Sequence, residues 1–263
     1  MTSFDELVAE AVAAPFTGWD FSWLDARSST TPLPWSYDAE VAAFSAHATT
    51  LLDLGTGGGE WLSRLNPRPA RTVATECWPP NVGVAADTLR PLGVPVVQCD
   101  GAPDNMSAAA ARPGQAGLLP FRERAFDLVV SRHEAFRADE VNRVLTERGR
   151  FVTQQVDYHS DDDLHELLGL DPPATAASWL PLATRQITSA GLIVRTAMAG
   201  ESIMRFEHIG AVVYYLKVLG WAVPQYRLDV FLPRLREAWR AVDAWPLSVC
   251  QRRFLVVATK PGD

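Results

Sequence analysis

Short apolar runs alternate with longer amphipathic stretches over the middle of this chain. Residues 50–54, 71–76, 94–100, 126–131 and 150–156 are each only a few residues long, rich in Leu, Val and Phe, and bounded by glycine or polar residues. Runs of that length and composition read as buried strands. Between them the period changes to that of a helix. Residues Asn81–Leu92 place Val82, Ala85, Ala86 and Leu89 on one face, and Gly93 stands where a helix-ending glycine belongs. Residues Asp139–Thr146 turn Val141, Val144 and Leu145 inward before Gly149. Strand, helix, strand in repetition predicts an α/β chain with a doubly wound sheet.

Outside that region the pattern differs. Residues 2–14 predict a helix with Asp5 and Glu6 near its start and Pro15 after its end. Residues 16–37 carry Phe16, Trp19, Phe21, Trp23, Trp35 and Tyr37 with no period of 2 or 3.6. So aromatic a loop must pack on something, as a lid on the domain edge or as a wall of a pocket. A second helix is expected over 38–47. Helices are also expected over Trp179–Ala190, Glu207–Leu219 and Pro233–Trp245. The second of these is apolar nearly all round, so it is expected to be buried, with His208, Tyr214 and Tyr215 as core residues rather than acceptor contacts. In Ser160-Asp161-Asp162-Asp163, Ser160 is expected to cap a helix whose first turn carries the carboxylates.

Candidate chemistry sits at the end of the first central strand. After Asp53 and Leu54 come Gly55-Thr56-Gly57-Gly58-Gly59-Glu60. Glycines there permit a positive φ and let a ligand approach with no Cβ in the way. A dinucleotide fingerprint, G-x-G-x-x-G, would need a third glycine where Glu60 stands. The fitting pattern is acidic-x-G-x-G-x-G, through Asp53, Gly55, Gly57 and Gly59. A pyrophosphate wants backbone N–H groups with no anion beside them, yet Asp53 and Glu60 bracket this loop and no Lys or Arg lies in it. Such a loop suits a ligand that is neutral or positive where it touches. S-adenosylmethionine, with its sulfonium and ammonium groups, qualifies. Glu76, at the end of the next strand, has the spacing of a carboxylate that meets ribose hydroxyls.

At these residues the chain resembles the class I S-adenosylmethionine-dependent methyltransferases. Leu119-Pro120-Phe121 followed by Phe126-Asp127-Leu128-Val129 resembles a further segment of that family, as does the stretch Glu140 to Phe151. The resemblance covers about residues 48–160 and the last strand. It implies a Rossmann-like, mostly parallel seven-stranded sheet with helices on both faces, closed by an antiparallel pair over Leu192–Thr196 and Arg253–Thr259. The expected organisation is an aromatic N-terminal lid (1–47), a cofactor-binding core (48–200), a helical cap inserted before the last strand (201–247), and that strand (248–263). The cofactor set it implies is Asp53, Gly55, Thr56, Gly57, Gly59, Glu76, Asp100, Gly101, Ser131 and Arg132. Asp100 departs from the family's form because Pro103–Leu118 is inserted before Leu119, which leaves adenine between Asp100, Asp104 and backbone groups. His133 and Glu134, just after the fourth strand, are the candidate catalytic pair. His133 has a pKa suited to taking a proton, with Glu134 orienting it or acting as the base. The competing reading has both residues supporting the loop.

Composition narrows the partners. The chain has 263 residues, 48% of them hydrophobic and 21% charged, as in a globular protein. The net charge of −7 disfavours a broad phosphate-binding surface. The three cysteines are widely spaced, with no C-x-x-C pair, so a reduced, cytoplasmic protein without disulfides or a metal site is expected. The start of the chain lacks the positive region of a signal peptide, and no run is long and apolar enough to predict a membrane span. Three functions remain open. One is methyl transfer from S-adenosylmethionine to O, N or C of a small-molecule acceptor, by a possible homodimer. Another is methylation of RNA, through a patch of Arg234, Arg236, Arg240, Arg252 and Arg253. The third is S-adenosylmethionine binding without turnover.

Overall fold

One sheet of eight strands, in the order β1-β7-β8-β6-β5-β2-β3-β4, runs through the molecule. The computed structural model describes residues 2–102, 117–171, 178–219, 227–241 and 245–262. The strands are β1 (Ser28–Thr30), β2 (Thr50–Leu54), β3 (Arg71–Glu76), β4 (Val96–Gln98), β5 (Phe126–Arg132), β6 (Leu145–Val156), β7 (Ile193–Phe206) and β8 (Leu247–Thr259). Strands β4, β3, β2, β5 and β6 are parallel neighbours; β8, β7 and β1 add antiparallel pairs. The chain winds outward from β2 through β3 to β4, then returns to place β5 on the other side of β2. That switch point opens a crevice between the C-terminal ends of β2 and β5, where such sheets bind ligands.

The mostly parallel, Rossmann-like sheet agrees with the sequence reading, with one strand more than the seven expected. The extra strand, β1, lies in the aromatic N-terminal segment. Ser28, Ser29 and Thr30 carry no hydrophobic alternation, and their pairing with Phe206, Arg205 and Met204 is a tertiary event. The antiparallel pair is longer than expected. β7 continues from Ile193 to Phe206, so residues 201–206, assigned above to the helical cap, are strand. Ala197, Ala199 and Gly200 make weak strand signals, and pairing to β8 along the whole length outweighs them.

The helices are α1 (Phe4–Ala13), α2 (Tyr37–Ser45), α3 (Glu60–Arg64), α4 (Pro79–Leu89), α5 (Ala138–Val144), α6 (Asp162–Leu167), α7 (Leu180–Ser189), α8 (Ile209–Val218) and α9 (Leu228–Arg240). Residues of α2, α3 and α4 pack with Leu51, Leu128, Val130 and Val152 on one face of the sheet. Residues of α5 and α7 pack with Val129, Phe151 and Phe254 on the other. A third core lies beyond the parallel strands, where α1, α6, α8 and α9 close around Met204, Phe206 and Val249. Two expectations shift. α9 starts at Leu228 and carries Pro233 inside it, rather than starting at Pro233; Trp245 lies outside it. Ser160 does not cap α6. The N-cap residue is Asp161, at φ 65°, and the Ser160 hydroxyl accepts from Arg252 N and Arg253 Nη1 instead. The run Ala108–Ala111 and Asp104 lie outside the described residues. Among the described residues no helix is long and apolar enough to cross a membrane.

α8 is buried all round, as its sequence implied. Tyr214 is fully buried, its ring stacked on Trp23 at 4.5 Å, and Tyr215 donates to Asp161 at 3.1 Å. His208 accepts from Ala211 N as the N-cap. All three belong to the scaffold. Lys217 on α8 ties down α1: its ammonium donates to the carbonyls of Ala11, Val12 and Ala14 at 3.0, 3.1 and 2.5 Å. These satisfy the open C-terminal carbonyls of α1, which has no basic residue in its last turn. Lys217→Met keeps the aliphatic stem and removes the donors. It is expected to lower unfolding free energy by roughly 1–3 kcal/mol, measured by urea denaturation; an unchanged midpoint would show the clamp contributes nothing.

Candidate active site

The turn after β2 is built on backbone geometry that only glycine adopts cheaply. Gly55, Gly57 and Gly59 have φ of 66°, 63° and 83°. Gly59 caps α3 from the left-handed region, and a Cβ there would stand 2.9 Å from Leu89 Cγ. On Gly57 a Cβ would stand 3.1 Å from Trp19 Cβ, so the aromatic N-terminal segment lies directly over the turn. Trp19 N donates to Glu60 Oε1 at 2.9 Å and fixes it there. The aromatic segment is thus packed against the turn.

Two acids sit under this turn. Asp53 is 3% exposed. Burial pushes its carboxyl up to about 7, and the charge of Glu76 adds to the effect. Glu76 Oε2 accepts from Gly57 N and Oε1 from Trp78 N, both at 2.7 Å. Burial still raises Glu76 above the ordinary carboxylate range. Each carboxylate oxygen keeps a second lone pair, which leaves Glu76 able to accept from a diol. The Thr56 hydroxyl in the turn faces the Asp53 carboxyl, and the buried Tyr37 hydroxyl at the start of α2 faces the Ser131 backbone at the end of β5. Tyr37 was not singled out from sequence.

Glu134 lies across the cleft. A Cβ on Gly55 would fall 2.3 Å from Glu134 Cγ, and Glu134 Oε1 is 3.9 Å from Cys77 Sγ. Its carboxyl is pushed up to about 7 by burial and by Glu76, and the Cys77 thiol is pushed up to about 12 by burial and by Glu134. Asp100, Gly101, Cys99 and Cys77 line the same crevice, whose open volume is about 30 Å³, room for a single water. The set of groups fits S-adenosylmethionine: a cradle with four glycines in five positions, buried acids, and the Thr56 and Tyr37 hydroxyls beside them. Asp100 and Gly101 line the crevice; Asp104 is outside the described residues.

His133 and Glu134 do not form the pair that the sequence suggested. The loop Ser131–Glu134 is pinned on both faces of the sheet. On one, Gln155 Nε2 donates to Thr153 Oγ1 and to the Glu134 carbonyl at 2.8 and 3.0 Å, and the Ser131 hydroxyl donates to that carbonyl at 2.9 Å. On the other, Trp35 Nε1 donates to Gln154 Oε1 at 2.8 Å, which orients the amide so that its NH₂ faces His133 Nε2 at 3.3 Å. His133 Nε2 therefore accepts and its proton sits on Nδ1. Burial, with Arg253 and Arg132 nearby, holds its pKa well below the ordinary value. The lone pair a base would use is taken. Arg132 is exposed and stands 5.6 Å over the Tyr37 ring.

The crevice with its glycine cradle is that of a Rossmann-like methyltransferase fold. Residues 52–155 match the model of a methyltransferase domain. The YcgJ protein of Bacillus subtilis superimposes with a TM-score of 0.55 at 17% identity, covering 86% of this chain and 99% of that one. A candidate methyltransferase from Bacillus halodurans C-125 does so with a TM-score of 0.54 at 16% identity, covering 85% and 97%. The [4+2]-cyclase SpnF does so with 0.50 at 17%, covering 86% and 80%. At these identities the likeness concerns the fold. No curated protein sequence matches the chain.

The buried acids make a pH prediction. Asp53 and Glu134 have folded pKa values near 7, above the ordinary carboxylate range of about 4. The folded state therefore binds more protons than the unfolded state between those values, and stability falls as pH rises through that window. The slope reaches at most roughly 1.4 kcal/mol per pH unit for each group. Asp53→Asn is expected to flatten it, read from urea midpoints between pH 5 and pH 8. An equal slope in the variant would show that Asp53 ionises normally.

Proposed function

We propose that the protein transfers a methyl group from S-adenosylmethionine to an O, N or C atom of a small-molecule acceptor. The observation that carries this reading is the turn at Gly55–Gly59, four glycines in five positions, with buried carboxylates beside it and no cation in it. When bound, S-adenosylmethionine supplies an electrophilic methyl on a sulfonium. Asp53 and the Thr56 hydroxyl would hold its ammonium group, Glu76 its ribose diol, and Asp100 and Gly101 would serve its adenine. The loop Ser131–Glu134 would bound the acceptor side, with Trp19 and Trp35 packed beside it. Positioning and exclusion of water are the main resources here. His133 serves as a support, because Gln154 occupies its acceptor nitrogen.

The RNA reading has less support. Arg236 pairs with Asp5, Arg252 with Glu201 and Arg234 with Glu237, so carboxylates neutralise most of the expected patch. Ligand binding without methyl transfer stays as the second reading, since a cyclase shares this fold.

Calorimetric titration with S-adenosylmethionine and S-adenosylhomocysteine tests the cofactor. Affinity in the micromolar range is expected. Gly57→Arg should abolish binding, since the side chain would meet Trp19 at a φ that disfavours it, and Glu76→Ala should weaken it about tenfold or more. Absence of binding by the unmodified protein would remove the reading. Once an acceptor is known, His133→Ala should keep kcat within about tenfold, below the usual contribution of a general base. A much larger loss, with a changed pH profile, would restore His133 as the base.

A further inference from the structure

Five of the seven half-buried arginines among the described residues are paired with carboxylates. Arg27, Arg137, Arg143, Arg236 and Arg252 each meet one: Glu10, Asp139, Glu140, Asp5 and Glu201 respectively. Among the described residues, Arg68 and Arg253 are half-buried with no such partner. Arg68 precedes β3, at the N-terminal edge of the parallel strands, away from the crevice. Arg253 stands opposite Val156, at the C-terminal end of β6 and so on the edge of the sheet where the parallel strands end.

The register puts Arg253 beside the site. On β8 it is opposite Val156 of β6 and Gly200 of β7. Its side chain shares a face of the sheet with Leu255 and Val257, and with Val152 of β6, the face that α2 covers. By the same alternation Gln154 and Arg132 share that face. A Cβ on Gly200 would stand 2.6 Å from the Trp35 ring, so Trp35, which orients Gln154 and through it His133, is also the wall next to Arg253. The guanidinium is held from behind by neutral atoms: Nη1 donates to Ser160 Oγ at 2.6 Å and to the Arg252 carbonyl at 2.9 Å. Nε and Nη2 are given no acceptor among the described residues. The nearby acid, Asp161, already accepts from Tyr215 and Gln251.

Asp161 attracts the guanidinium from a distance and through Ser160, but no carboxylate meets its Nε and Nη2 among the described residues, so that edge of the fork is left to be satisfied by another group. In a chain with 31 acidic and 24 basic side chains, an internal partner would be easy to provide. We propose that Arg253 is the recognition residue for the acceptor, and that the acceptor is a small organic oxyanion, a carboxylate or phosphate, seated on the Arg253 fork against the Trp35 wall. This rests on the methyltransferase reading and names its substrate class. The planar fork suits both anions.

The test uses the full chain, ¹⁵N-labelled and saturated with S-adenosylhomocysteine, titrated with sodium acetate and separately with inorganic phosphate. Saturable shifts of the Arg253 side-chain N–H and the Gln154 amide are expected with at least one anion, with a dissociation constant in the millimolar range. The anion that binds more tightly identifies the carboxylate or phosphate class. Arg253→Gln should weaken that binding about tenfold or more, while Arg253→Lys retains part of it. Both variants should keep the melting temperature and the S-adenosylhomocysteine affinity, which separates lost recognition from lost folding. No saturable shift with either anion, or equal affinity in Arg253→Gln, overturns the proposal. Failure of S-adenosylhomocysteine to bind would instead sink the methyltransferase reading, and the same titrations on the ligand-free chain would still decide whether Arg253 is an oxyanion site.

Discussion

A buried carboxylate bridging two loops sets the shape of the crevice. Glu76 ends β3, and its two oxygens accept N–H groups from Gly57 in the glycine turn and Trp78 at the start of α4. One side chain thus fixes the turn after β2 to the end of the neighbouring strand. The turn holds positive φ at three glycines, a conformation with no regular backbone ladder to stabilise it. Charge-assisted bonds of this kind are worth more than neutral ones. They also draw the acid away from water. Burial raises the carboxyls of Asp53 and Glu134, and the charge of Glu76 adds to it.

The N-terminal segment completes what the sheet leaves open. A parallel sheet presents loops at its C-terminal edge and needs other parts of the chain to shelter them. Here Gly18 and Trp19 lie on Gly57 and Gly58, Trp35 reaches Gln154 across 119 residues, and Ser28–Thr30 joins the sheet through β7. α1 and α8 lock this segment to the third core through Lys217. The lid is thus anchored at its helix, at its strand and at two tryptophans, and the crevice walls are made from chain ends far apart in sequence.

Local chemistry made much of the site legible. Glycine spacing and the acids around it located the turn, and the interval to Glu76 located its carboxylate, because both depend on a strand–turn–helix of nearly fixed length. The strand ends carrying Ser131 and Gln154 followed from short apolar runs. Pairwise geometry across the sheet was not legible. His133 next to Glu134 in sequence suggested partnership, yet β5 and β6 bring Gln154 to His133 while the left-handed backbone of His133, φ 60°, sends Glu134 toward Gly55. β7 was shortened because Ala and Gly on a half-exposed strand give almost no alternation. Tyr37 reads as one aromatic residue among several in the sequence, and its buried place beside Asp53 and the end of β5 comes from tertiary packing.

The charges divide along the crevice. Asp53, Glu76, Asp100 and Glu134 gather on the side of β2, β3 and β4, while Arg132 and Arg253 stand on the side of β5, β6 and β8, with His133 held neutral between them. A uniformly acidic crevice would repel an anionic acceptor, and a uniformly basic one would repel a sulfonium. Arg132, at the end of the strand next to β2, lies close enough to Asp53 to favour its charge, while Arg253 on β8 stands three strands from β2, roughly 15 Å; burial reduces the screening that would erase the difference in water. A neutral His133 at the boundary fits this arrangement, since a proton there would extend the positive half toward the methyl donor. Gln154 supports that state by donating to the nitrogen that would otherwise take up the proton. Trp35, by orienting Gln154, couples the lid to the charge at the boundary. In this protein the packing of an N-terminal aromatic residue and the protonation of a strand-end histidine are one structural problem.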